Sequence, residues 1–179
     1  MIKFAGLLTA FILVAAGSAF AQLSPDGGPI QIEAGKAEIL DQSKRVVYSS
    51  DVDVVQGNAR LQSDVLTINF AGSETGGTGG IGGGFGAIDN MQAVGNVHYV
   101  TQDLKARGDD AIYTAATDTV FMTGNVILAR GDDIAQGECL TLEIGAGKST
   151  LGCGDNGAGN ERVIIQINPT ERNSSGGIE

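Results

Sequence analysis

The 179-residue chain has no tryptophan, one histidine, two cysteines, and only 11 lysines and arginines against 21 aspartates and glutamates. With His98 as the single histidine, histidine-ligated zinc and most Ser-His or Cys-His catalytic arrangements lack parts. Its place between Val97 and Tyr99 reads as a solvent-facing strand position. The net charge of −10 argues against nucleic acid as a partner, because phosphate binding depends on clustered Lys and Arg. Asp109-Asp110 and Asp132-Asp133 lack the further spaced carboxylates of a calcium site and read as turn residues. Gly147-Lys148-Ser149 resembles the end of a phosphate loop, but Leu142 stands where that motif needs its first glycine. No cofactor, metal site or catalytic set is expected, so the reading is a non-enzymatic protein.

What is present begins at the N-terminus. Lys3 precedes an apolar run from Phe4 to Ala16 and the small-residue triplet Ala19-Phe20-Ala21. The run is shorter than the roughly 20 residues of a spanning helix and has the form of a secretory signal, with cleavage expected after Ala21. Residues 1–21 are therefore read as a signal peptide, 22–28 as an N-terminal segment, and the exported chain as one ordinary domain. Loss of Lys3 and of no acid takes the net charge from −10 to −11.

Beyond the signal, apolar residues recur at every second position: Ile30 and Ile32; Val52 and Val54; Leu66, Ile68 and Phe70; Val97 and Tyr99; Val126 and Leu128; Leu140, Leu142 and Ile144. A period of two marks strands with one buried face. Turn compositions separate them at 41–43, 56–58, 108–110, 131–133 and 145–147, so the prediction is all-β and antiparallel. Residues 30–70 slide onto 104–144 at an offset of 74 without a gap, with identities that include Val46/Val120, Val52/Val126, Gly57/Gly131 and Leu66/Leu140. This is a repeated strand-turn-strand unit. A shorter copy, Gly95-Asn96-Val97, matches Gly124-Asn125-Val126 and more loosely Ser50-Asp51-Val52. Between the halves, residues 72–86 hold nine glycines in 15 positions and read as a flexible loop rather than a dinucleotide motif. Residues 170–179 read as a disordered tail.

Cys139 and Cys153 are predicted to form a disulfide. Their midpoint is residue 146, the centre of Gly145-Ala146-Gly147, so a three-residue hairpin loop would set them directly opposite on one face. The terminal run Val163, Ile164, Ile165, Gln166, Ile167 is apolar, β-branched and free of proline, which leaves it poorly protected as an edge and suited to pairing with a partner strand.

The segments Pro29 to Ala34, Val46 to Gly57 and Leu61 to Leu66, with Tyr113, Val120 to Val126, Ile134 to Leu140 and Glu161 to Pro169 in the second half, resemble the LptA/OstA-like family of periplasmic lipopolysaccharide-transport proteins. The resemblance spans residues 29–169. It implies a twisted, open antiparallel β-jellyroll, folded like a taco, whose inner face holds acyl chains. It also implies a bridge that binds lipopolysaccharide in the periplasm, docked between an LptC-like inner-membrane partner and an LptD-like outer-membrane translocon, with head-to-tail self-association. By match to the family's first strand, Ile30 and Ile32 face the groove. Alternation adds Val46, Tyr48, Val52, Val54, Leu66, Ile68, Val97, Tyr99, Val120, Met122, Val126, Leu128, Leu140 and Leu142. The expected docking edges are Ile30, Gln31 and Ile32 at one end and Val163, Ile164, Ile165 and Ile167 at the other. The alternative is a secreted structural or adhesive β-solenoid with repeats but no lipid.

Overall fold

A computed structural model describes residues 23–24, 27–71, 86–153 and 162–168. The expected signal segment 1–21, all of the glycine-rich tract except Gly86, and the tail 170–179 lie outside the described residues. The strands are β1 (Gln31–Glu33), β2 (Lys36–Leu40), β3 (Arg45–Gln56), β4 (Ala59–Phe70), β5 (Ile88–Val100), β6 (Lys105–Thr114), β7 (Thr119–Arg130), β8 (Asp133–Glu143), β9 (Lys148–Leu151) and β10 (Ile164–Gln166). All ladders are antiparallel. They form one 10-stranded open sheet of order β1-β3-β4-β5-β6-β7-β8-β10, with β2 also on β3 and β9 also on β8. Each edge is thus a strand broken in two. The sheet is not closed into a barrel, and its repeats lie side by side within it.

The internal repeat is structural. An offset of 74 carries β3 onto β7 with identical limits and β4 onto β8, while β1 and β2 together fall on β6.

One buried face in a single sheet needs a partner, and the sheet supplies it by folding over. Met91 and Tyr99 stand eight residues apart on β5, which would separate them by about 26 Å in an extended strand. They nevertheless line the same small void. The fold line is a row of β-bulges at Ser50-Asp51, Gly95-Asn96 and Gly124-Asn125, all six residues having positive φ. The ladders shift register there, leaving two residues against one on the neighbouring strand. Such bulges bend and twist a strand.

The bulges are built from paired chemistry. A Cβ on Gly95 or Gly124 would overlap the side chain of Asp64 or Asp109, respectively. Those carboxylates instead accept hydrogen bonds from the adjacent asparagines, Asn96 Nδ2 to Asp64 Oδ2 at 2.8 Å and Asn125 Nδ2 to Asp109 Oδ2 at 3.2 Å. In the first repeat the glycine is on the opposite strand: Gly35 packs against Ser50 and its N–H donates to the Ser50 carbonyl at 2.8 Å. Alternation changes phase on the strands facing the bulges. In β4 the buried positions run 59, 61, 63 and then 66, 68, and in β6 they run 106, 108 and then 111, 113.

The Cys139–Cys153 bond is present, with Cα atoms 4.9 Å apart, but the predicted register is corrected. Leu140 pairs with Leu151 and Glu143 with Lys148 across a turn closed by Gly147 N–H donating to the Ile144 carbonyl. The loop therefore holds four residues rather than three, and Cys139 faces Gly152, whose N–H donates to the Cys139 carbonyl at 2.8 Å. Gly152, at φ 108°, leaves the strand path and directs the chain so that Cys153 meets Cys139 from one position beyond.

Candidate functional site

Of the predicted inner-face residues, Val46, Val52, Val54, Leu66, Ile68, Val97, Tyr99, Val120, Met122, Val126, Leu128, Leu140 and Leu142 are buried. Ile30, Ile32 and Tyr48 are half-buried, packed against that cluster. Gln31 and His98, on the other face, are exposed. Alternation missed Leu23, Ala59, Leu61, Met91, Ala93, Ala106, Ala111 and Tyr113, which with Ile144, an alternating position not assigned to the groove, complete the interior.

This interior opens where the two ends of the folded sheet meet. The mouth is a cavity of ≈ 600 Å³ bounded by the β5–β6 turn (Thr101 to Leu104), the β7–β8 turn (Arg130, Gly131) and the β8–β9 hairpin (Leu142 to Ile144, Gly147 to Ser149). Tyr99, Leu104, Leu142 and Ile144 give it apolar walls. Arg130 Nη2 donates to Ser149 Oγ at 3.1 Å, and Lys148 pairs with Glu143 at 2.7 Å. Arg130 and Lys148 stand with Asp103 and Glu143 around the opening, so the rim has no surplus of positive charge to select an anion. Beside the polar side chains of Asn58, Thr101, Gln102 and Ser149, the four apolar walls offer a ligand surface where burial stabilises by about 0.8 kcal/mol per CH₂.

Behind the mouth lies a nearly filled pocket of ≈ 10 Å³ lined by Leu23, Leu61, Met91, Ala93, Tyr99, Ala111, Tyr113 and Val120. Tyr99 borders both spaces. Its hydroxyl donates to the Leu23 carbonyl at 2.5 Å. Burial first, then the charges of Asp118 and Tyr113, push its pKa up to about 12. Burial also raises the pKa of Tyr48. On the outer face Asp53 accepts from Arg60, and this bond lowers its pKa.

The expected docking residues are at the two edges. Ile32 pairs with Val54 through β1, and Ile164 and Ile165 pair with Gln136 and Ala135 through β10. Ile164, Ile165 and Ile167 are 64, 62 and 68% exposed, the most exposed large apolar residues described. Asn168 fastens the end of β10, its N–H donating to Asp133 Oδ1 at 2.8 Å. Among the described residues no group of three His, Cys, Asp or Glu side chains is arranged to hold a metal ion, and no helix is long and apolar enough to cross a membrane.

Residues 31–148 match the family described as LptA/(LptD N-terminal domain) LPS transport protein. An uncharacterized protein, R00383, of Rhizobium meliloti is 30% identical over 86% of this chain and 78% of its own. The lipopolysaccharide export system protein LptA of Escherichia coli K12 is 25% identical over 95% of this chain and 89% of its own. The crystal structure of LptH, the LptA-homologous periplasmic component of the lipopolysaccharide transport device of Pseudomonas aeruginosa, superimposes with a TM-score of 0.64 at 20% identity, covering 83% of this chain and 100% of that one. The likeness to LptH is one of fold, and by the family match over residues 31–148 the chain belongs to the LptA/(LptD N-terminal domain) family of LPS transport proteins.

Proposed function

We propose that this protein is exported to the periplasm and carries lipopolysaccharide between an LptC-like inner-membrane partner and an LptD-like outer-membrane translocon, holding the acyl chains in the interior of the folded sheet. The observation that carries the reading is the ≈ 600 Å³ mouth, walled by Tyr99, Leu104, Leu142 and Ile144, which leads toward an apolar interior drawn from every long strand. Such a site takes a hydrocarbon chain without chemistry, as a carrier must when a lipid crosses an aqueous space.

The two edges support head-to-tail assembly. The half-strands β1 and β10 are different surfaces at opposite ends of one sheet, and contacts between unlike edges extend rather than close. A photo-crosslinking residue at Ile32 or Tyr99 should capture lipopolysaccharide in cells, while Gln31 and His98 on the outer face should not. Equal capture from both faces, or from neither, removes the support for an inner-face carrier.

A further inference from the structure

Leu23 is 2% exposed and lies against Leu61, Met91, Tyr113 and Val120, yet it belongs to no strand. Its main chain is held by side chains of the sheet. The Leu23 N–H donates to Gln56 Oε1 at 2.5 Å, and the Leu23 carbonyl accepts from Tyr99 at 2.5 Å. Gln56 Nε2 in turn donates to the Gly28 carbonyl at 2.9 Å, and Ser24 Oγ donates to Asn58 at 2.8 Å. A glutamine 2% exposed at the end of an otherwise apolar row costs stability unless it is bonded, and here both ends of its amide serve this segment.

We infer that Leu23, with Ser24 beside it, is a built-in occupant of an acyl subsite behind Tyr99, and that the lipid displacing it carries an amide next to its chain. The inference deepens the proposed carrier function and rests on its reading of the interior as a chain-binding site. Three features place the subsite. Leu23 fills it almost completely, leaving ≈ 10 Å³. The residue that bonds Leu23, Tyr99, also borders the open mouth, so a chain entering there meets the segment first. Gln56 and Tyr99 present one acceptor and one donor to the Leu23 backbone. A replacement that restores both bonds offers an N–H and a C=O beside an apolar group. An amide-linked acyl chain does so, an ester lacks the N–H, and a bare hydrocarbon lacks both, leaving buried polar groups without their bonds at a cost of about 1–3 kcal/mol each.

The test uses Leu23→Cys in the full exported chain. The native cysteines are bonded to each other, so the new thiol is the one available to a soluble disulfide reagent. Adding N-methyldodecanamide should raise its modification rate about tenfold, and methyl dodecanoate of equal chain length should raise it much less. Gln56→Leu should bring the two probes together. A second variant, Leu23→Ser, weakens the occupant without touching the sheet and should tighten amide binding about tenfold by calorimetry.

An unchanged thiol rate in saturating amide, or unchanged affinity in Leu23→Ser, overturns the occupant. Equal response to amide and ester overturns the amide preference. Lipopolysaccharide captured at Ile32 while the Leu23→Cys thiol stays protected refutes this inference and leaves the carrier standing. Amide-driven exposure without lipopolysaccharide capture does the reverse.

Discussion

The Arg130 guanidinium donates a 3.1 Å hydrogen bond to the Ser149 hydroxyl, joining the last residue of β7 to the strand that follows β8. Between them runs β8, 11 residues long, which would hold its ends about 35 Å apart if straight. The bond therefore spans the folded sheet and crosses the mouth it leaves. Both groups are near solvent, so Arg130→Ala should cost less than about 1 kcal/mol in urea titrations. The same substitution should speed uptake of a fluorescent apolar probe such as N-phenylnaphthylamine. Slower or unchanged uptake would show that the contact does not restrict entry.

The bulge glycines give a sharper test. Gly124→Ala forces a left-handed residue, about 1–2 kcal/mol, and pushes a Cβ into Asp109, a further cost of about 1–3 kcal/mol. The first repeat shows the escape, because there Gly35 and Ser50 occupy the reversed arrangement. The double change Asp109→Gly with Gly124→Ser should recover most of the lost stability, whereas Gly124→Ser alone should not. Additive losses in the double variant would mean that the two repeats do not share one steric rule.

Strands β3, β4, β7 and β8 were legible because Val, Ile and Leu at alternate positions repeat at an offset of 74. The bulges were visible only as copies of Gly-Asn-Val, whose meaning lies in φ angles that letters do not carry. Strand β6 was nearly silent, since its inward residues are Ala106, Gly108, Ala111 and Tyr113 and its phase changes at Asp109-Asp110. Small residues give little hydropathy contrast, and a phase change cuts one strand into two runs too short to read. Leu23 could not be found at all, because its position is fixed by Gln56 and Tyr99 rather than by its neighbours. The cysteine pairing was read correctly from a loop one residue too short, with Gly152 making up the difference.

Tyr99 carries a pH dependence of defined sign. Its pKa is raised from 10.0 to about 12, so between those values the unfolded chain has lost a proton that the folded chain keeps. Folding stability is fully present below pH 10 and falls as pH rises toward 12, by up to about 3 kcal/mol. Ionised Tyr99 also has no proton to donate to Leu23. Tyr99→Phe should flatten the wild-type decline over this range in pH-dependent urea titrations, and an equal decline in both proteins would assign it to other groups.

The C-terminal edge provides the last prediction. β10 is three residues long, and Ile164, Ile165 and Ile167 are each more than 60% exposed. It pairs with β8 on one side, and β8 is held along its whole length by β7, so the sheet does not depend on β10 for closure. A short apolar strand at an open edge is poorly defended against pairing with another chain. The opposite edge, β1 and β2, has a different character, with Lys36 and Glu38 paired at 3.0 Å on its exposed surface. Unlike edges at the two ends suit an assembly that grows head to tail. Deleting residues 161–179 should abolish concentration-dependent oligomers in sedimentation and binding to the translocon's N-terminal domain, while the circular dichroism of the monomer keeps its β signature. A truncated protein that still oligomerises and still binds that domain would place docking elsewhere, leaving β10 as a cover for β8 alone.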